Sequence, residues 1–150
     1  MRVDDLLTNR HIPFEALQHR RTYNANRMAQ VLHVPGREVA KSVLLRSGKK
    51  NILVVHPSTH YVDRERIRRR LGEADVEMAS EEEIEQIFSD CETGAMPPFG
   101  SLYHIHTLMD ESLDQDEEIV FENQSHEEAI RMRRLDYEEL EHPIKGRFSF

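Results

Sequence analysis

The sequence is short of several things that would define its class. It has one cysteine, Cys91, so no internal disulfide can form, which agrees with a reducing compartment. No apolar run approaches the roughly 18 residues that a membrane span requires. The opening MRVDDLLTNRHIPF carries charge where a secretory leader has its apolar centre, so a cytoplasmic protein without a membrane partner is expected. Basic charge is also in deficit, with 20 Lys and Arg against 28 Asp and Glu and a formal net charge of -8. That argues against an indiscriminate nucleic-acid coat, whose affinity comes from displacing counterions with many cations, and no DNA partner is expected. Glycine and proline are scarce, six of each in 150 residues, yet Gly94, Pro97, Pro98 and Gly100 all fall in the stretch GAMPPFG.

What is present fits one globular domain. Hydrophobic residues make up 38% and charged residues 32%, and no break in composition divides the chain. Residues 3 to 10 can form a short helix, with an extended segment over 14 to 19. Asn24 can cap a helix to about Leu32, which Pro35 and Gly36 stop. VAKSVLLR (39 to 46) and ILVVH (52 to 56) read as a hairpin across SGKKN. Asp63 and Gly72 bracket a helix over 64 to 71, VEMA (76 to 79) is a short strand, and Ser80 with Glu83 forms a capping box for a helix to about Phe88. LYHIHTLM (102 to 109), EIVFE (118 to 122) and AIRMRR (129 to 134) read as strands, and Asp136 with Glu139 caps a last helix. The expected fold is α+β, with a central mixed, largely antiparallel sheet flanked by short helices. HPIKGRFSF (142 to 150) reads as a tail.

Two features suggest chemistry. Lys41 shares a strand face with Val39, Val43 and Leu45, so it either snorkels from the strand end or stands as a cation at a pocket rim. In the GAMPPFG loop, Pro97 and Pro98 push the residues before them into extended geometry, while Gly94 lets a ligand approach the main chain. The N–H groups of Gly94, Ala95 and Met96 could then hold a carbonyl oxygen as it becomes an oxyanion, or the loop could be an ordinary stiff turn. His104 and His106 would share a strand face, but no complete metal-ligand pattern accompanies them, and neither a metal nor a cofactor is expected. Nothing pairs Cys91 with a base. Basic runs at 19 to 21, 64 to 70 and 131 to 134 contrast with acidic runs at 81 to 85 and 110 to 118. Each can be a solvated face or a patch for phosphate.

RTYNANRMAQVLHVPGREVAKSVLLR (21 to 46), YVDRERIRRRLG (61 to 72), GAMPPFG and SHEEAIRMRRLDYEEL (125 to 140) together resemble the YbaK and prolyl-tRNA synthetase-associated editing-domain family, from about residue 13 to 141. The resemblance implies a single α+β domain that hydrolyses mischarged aminoacyl-tRNA in trans, with an aminoacyl-tRNA synthetase as a second potential partner. It assigns catalysis to Lys41 and Gly94, the latter with Pro98 forming a GxxxP motif. It places Ala95, Met96, Pro97, Pro98, Phe99, Gly100, Thr22 and His126 around the substrate, with Arg68, Arg69 and Arg70 on the tRNA. Asn24 stands where many relatives have Thr or Ser, which preserves the helix cap and removes a hydroxyl. The rival reading is a module of the same fold that docks tRNA or a synthetase without turnover. A metal-dependent hydrolase using His104 and His106 is a third.

Overall fold

The computed structural model describes residues 1 to 150. Five helices and eight strands alternate as α1 (Val3–Asn9), β1 (Phe14–Gln18), α2 (Ala25–Leu32), β2 (Ala40–Ser47), β3 (Lys50–Pro57), α3 (Arg64–Leu71), β4 (Glu77–Met78), α4 (Glu81–Ile87), β5 (His106–Asp110), β6 (Glu118–Glu122), β7 (Glu128–Arg133), α5 (Arg134–Glu141) and β8 (Ile144–Gly146). The fold is the mixed α+β domain expected. Its strands divide into two sheets, an antiparallel one ordered β1-β7-β6 and a mixed one ordered β4-β2-β3-β5-β8. A single parallel bridge between Val39 and Val120 links them.

Local chemistry explains most boundaries. The Asn24 side chain accepts from the Arg27 N–H at 2.8 Å and starts α2, and His33 ends it in the left-handed conformation just before Pro35. Asp63 caps α3 by accepting from the Arg66 N–H, and Gly72 closes it at φ 66°. Ser80 and Glu83 exchange the two bonds of a capping box. The β2–β3 hairpin runs in register from Lys41 opposite His56 to Ser47 opposite Lys50.

Alternation along the hairpin supplies two cores. Ala40 and Val55 face the antiparallel sheet and pack with Phe99, Phe121, Ile130 and Tyr137, while Val43, Leu45, Ile52 and Val54 face Ile67 of α3 and Phe148. A smaller cluster joins Met28 and Ala29 of α2 to Val39, Val120 and Ala129. It ties the helix to the seam between the sheets.

Three expectations are corrected. Residues 102 to 109 do not form one strand: Gly100–Tyr103 is a 3₁₀ turn, His104 is left-handed at φ 59°, and β5 begins only at His106. Because His104 is itself left-handed and lies before β5, it does not share a strand face with His106. The last helix begins at Arg134, so Asp136 lies inside its first turn instead of capping it. Residues 142 to 150 are not an appendage either. Ile144–Gly146 pairs in parallel with β5, Phe148 is fully buried, and the Asp110 carboxylate accepts from the Phe148 and Ser149 N–H groups at 2.7 and 2.9 Å.

Candidate active site

A cavity of about 230 Å³ opens where the two sheets meet. Its walls are Tyr23, Asn24 and Ala25 at the start of α2, Val39 to Ser42 at the start of β2, Gly94 and Met96 from the loop, and Glu122 at the end of β6. Drug-sized ligands usually occupy roughly 300–1,000 Å³, so this space suits a small group. Lys41 stands exposed on the cavity wall and makes no hydrogen bond or ion pair within the protein. Opposite it across the hairpin, His56 is buried, and its Nδ1 donates to the Pro57 carbonyl at 2.7 Å. Burial is the main reason its pKa falls to about 4, with the Lys41 charge pushing the same way against that hydrogen bond. A neutral ring leaves the cation at this strand end to Lys41.

The loop is fixed by contacts on every side but one. Gly94 adopts φ 86°, which an L side chain reaches only with strain, and a Cβ there would sit 3.6 Å from His126 Cε1. Ala95 is buried, and its N–H donates to the Glu92 carbonyl at 3.0 Å. Of the three donors expected from sequence, that one is therefore unavailable. The N–H groups of Gly94 and Met96 have no partner in the protein, and both residues line the cavity. Further along, Pro98 presents its carbonyl to the buried Tyr137 hydroxyl at 2.5 Å, and Phe99 packs edge-on against Phe121 and Tyr137. Gly100 admits no side chain, since a Cβ would fall 2.6 Å from the Ile105 carbonyl oxygen.

Behind Gly94, His126 is buried, and its Nε2–H donates to the Thr93 carbonyl at 2.7 Å. Its backbone is held at both ends: the N–H donates to Glu92 Oε2 at 3.1 Å, and the carbonyl accepts from the Thr22 N–H at 3.2 Å. Glu92 is itself paired with Arg21 at 2.9 Å. Thr22 is buried beside this frame but does not line the cavity, and its hydroxyl is unpartnered.

The site residues read from sequence thus fall into three groups. Lys41, Gly94 and Met96 meet on the cavity; Ala95, Pro97, Pro98, Phe99, Gly100, Thr22 and His126 are packed behind or beside it. Arg68, Arg69 and Arg70 lie apart on α3, where Arg68 pairs with Glu65 at 2.5 Å, Arg69 approaches Glu65 at 3.9 Å, and Arg70 lies over the Phe148 ring. His104 and His106 line a separate hollow with Lys49, Lys50 and Glu73, and no group of three His, Cys, Asp or Glu side chains is arranged to hold a metal. Burial pushes the Cys91 thiol up to about 12, which keeps it protonated and unsuited to attack.

Sequence reasoning missed Glu122, which lines the cavity and is 8% exposed. Burial is the largest influence on its carboxyl and raises the pKa, against the opposing pull of His126 and Lys41. Its only sequence signal is an acid closing the apolar run IVF, four residues before His126.

The aminoacyl-tRNA editing domain family model matches residues 19–140, and the chain belongs to that family. Among solved structures, the hypothetical protein APE2540 superposes with a TM-score of 0.90 at 16% identity, covering 99% of each chain. A candidate trans-editing enzyme for prolyl-tRNA synthetase superposes with a TM-score of 0.85 at 19% identity, covering 99% of this chain and 94% of its own. At those identities the likeness concerns the fold. Among curated proteins, no sequence matches this one.

Proposed function

We propose that the protein clears mischarged tRNA in trans by hydrolysing the ester between the amino acid and the 3′-terminal ribose. The observation that carries this reading is the pairing of two unpartnered N–H groups, at Gly94 and Met96, with an unpaired Lys41 on one small cavity. The ester carbonyl accepts from the loop, and Lys41 engages the ribose or phosphate of the terminal nucleotide. Water adds to the carbonyl carbon, and the N–H groups stabilise the oxyanion that forms. The acyl C–O bond then breaks, and the ribose oxygen leaves with the proton that water supplied. A neighbouring ribose hydroxyl can orient that water, so the protein contributes positioning and charge stabilisation without a nucleophile of its own.

The partner is mischarged aminoacyl-tRNA, with a synthetase as the second protein from which such tRNA would be received. The test is a deacylation screen of the purified protein against tRNAs carrying wrong amino acids. At least one should lose its amino acid far faster than without protein, and Lys41→Ala should reduce that rate by 100-fold or more, on the order of one lost electrostatic contact to the transition state. A panel with no turnover, or a folded Lys41→Ala protein at the parental rate, overturns the reading.

A further inference from the structure

Glu122 closes β6 against the cavity wall, and its buried Oε2 lies 3.2 Å from His126 Nδ1. The His126 proton is already placed: Nε2 faces the Thr93 carbonyl, which only accepts, so the N–H must be there. Nδ1 faces the Glu122 carboxyl, and a proton on either atom joins the two groups by a hydrogen bond. Nδ1 has no other partner. The charged groups influencing Glu122 are His126, Lys41 from β2 and Glu92 from the segment before the loop. Of these only His126 is in contact with it: Glu92 is engaged by Arg21 and the His126 N–H, and Lys41 forms no ion pair. The other carboxyl oxygen, Oε1, makes no hydrogen bond or ion pair within the protein, and the residue lines the cavity.

We propose that Glu122 is the acceptor for the α-ammonium group of the esterified amino acid. This rests on reading the cavity as the aminoacyl site. An aminoacyl ester carries its carbonyl oxygen and its ammonium on adjacent carbons, so its site needs donors and an anionic acceptor a few ångströms apart. The free N–H groups of Gly94 and Met96 and the Glu122 carboxylate line one small cavity and supply that combination. Binding supplies a positive charge, and the ammonium donates to the carboxylate at the cavity wall, a water-poor position where charge-assisted hydrogen bonds are strong. The substrate class narrows to esters with a free α-amino group. Esters of 2-hydroxy acids, alike in size but uncharged, are discriminated against.

The experiment compares the aminoacyl-tRNA turned over fastest with the same tRNA after deamination to the 2-hydroxyacyl ester, each rate divided by its uncatalysed hydrolysis. Parent, Glu122→Gln and Glu122→Asp proteins are assayed in single turnover, with thermal melting on the same preparations. The parent should favour the aminoacyl ester by roughly 10- to 100-fold, the range of a charge-assisted hydrogen bond. Glu122→Gln should bring that ratio close to one by slowing the aminoacyl ester, and Glu122→Asp should restore part of it. Equal treatment of both esters by the parent, or a preference that survives in folded Glu122→Gln, overturns the assignment while leaving the deacylase reading in place. Turnover of neither ester by the parent removes both.

Discussion

The two ends of the GAMPPFG loop are built on opposite plans. At the Gly100 end the Gly100 and Ser101 N–H groups and the hydroxyls beside them are answered. The Gly100 N–H donates to Thr107 Oγ1 at 3.0 Å, and that hydroxyl in turn donates to Glu141 Oε2 at 2.6 Å. Glu141 also accepts from the Ser101 N–H and hydroxyl, at 3.0 and 2.5 Å. At the Gly94 end, the Gly94 and Met96 N–H groups lack partners, and Glu122 has only His126 Nδ1 beside it, at 3.2 Å. Both ends hold a buried glutamate, each 8% exposed, but Glu141 accepts from three donors of the fold whereas Glu122 is paired with His126 Nδ1 alone. The difference has a cost that normal packing would avoid, because an unsatisfied buried polar group destabilises a fold by about 1–3 kcal/mol. Such a cost is tolerated where a ligand supplies the partner.

The largest effect should come from disturbing the open end. Gly94→Val places a branched side chain at φ 86° and should lower the single-turnover rate by roughly 10²–10³, the range for losing an oxyanion donor, with little change in affinity for uncharged tRNA. Gly94→Ala sharpens the comparison, since it adds the positive-φ strain of about 1–2 kcal/mol with the least bulk. Melting of both variants separates strain from chemistry. If rate and tRNA affinity fall together in proportion to stability, the loop is only a turn.

Disturbing the closed end should act on stability first. Glu141→Ala leaves the buried Thr107 hydroxyl without its acceptor and releases the Ser101 N–H and hydroxyl at the rim, and the fold should lose about 1–3 kcal/mol in urea titration. Any loss of turnover should be smaller than that of Gly94→Val. A variant melting at the parental temperature would mean that the network contributes nothing.

The third prediction concerns pH. Burial raises the folded-state pKa of Glu122 above its unfolded value, so the folded protein holds more protons and stability falls as pH rises from the ordinary carboxylate range toward neutrality. Glu122→Gln, which cannot ionise, should match the parent near pH 5 and exceed it by about 1–2 kcal/mol near pH 8. His56 acts in the opposite direction. Its pKa is depressed to about 4, so stability is present above the unfolded histidine range and is lost as pH falls toward 4. The comparison must therefore be made between parent and variant at each pH. A Glu122→Gln protein that gains nothing at pH 8 would show that the carboxylate is satisfied after all.

The smallest effects belong to α3, far from either end. If Arg69 meets tRNA phosphate, Arg69→Ala should weaken binding equally for different tRNAs and make the slope of log affinity against log salt shallower by about one. Arg68 is already held by Glu65, so its replacement should change that slope less. Identical slopes in both variants would leave the run as a solvated face.

Much of this was legible in the sequence, for physical reasons that also mark where legibility stopped. Caps at Asn24, Asp63 and Ser80 are local chemistry, and the hairpin rests on long apolar alternation, so both could be read without tertiary knowledge. Lys41 and Gly94 stood out because each breaks a local rule. Glu122 breaks none, since an acid at a strand end is ordinary until the chain folds it into a wall beside His126. The strand β8 has only three residues, too few for a period to be seen, and its place is fixed by Asp110, more than thirty residues earlier in the chain. LYHIHTLM alternates as a strand should, yet the missing side chain at Gly100 lets the chain turn tightly against Ile105 first.

The loop's hydrogen bonds also determine how its amide protons trade with solvent. Ala95, bonded to the Glu92 carbonyl, lies between Gly94 and Met96, which are bonded to nothing, so protection should rise and fall within three consecutive positions. Gly94, exposed as well as unbonded, should exchange fastest. An acyl group accepting from the loop would slow Gly94 and Met96 and leave Ala95 unchanged. The backbone therefore carries its own reporter of occupancy, readable by deuterium uptake with no label attached and no turnover required.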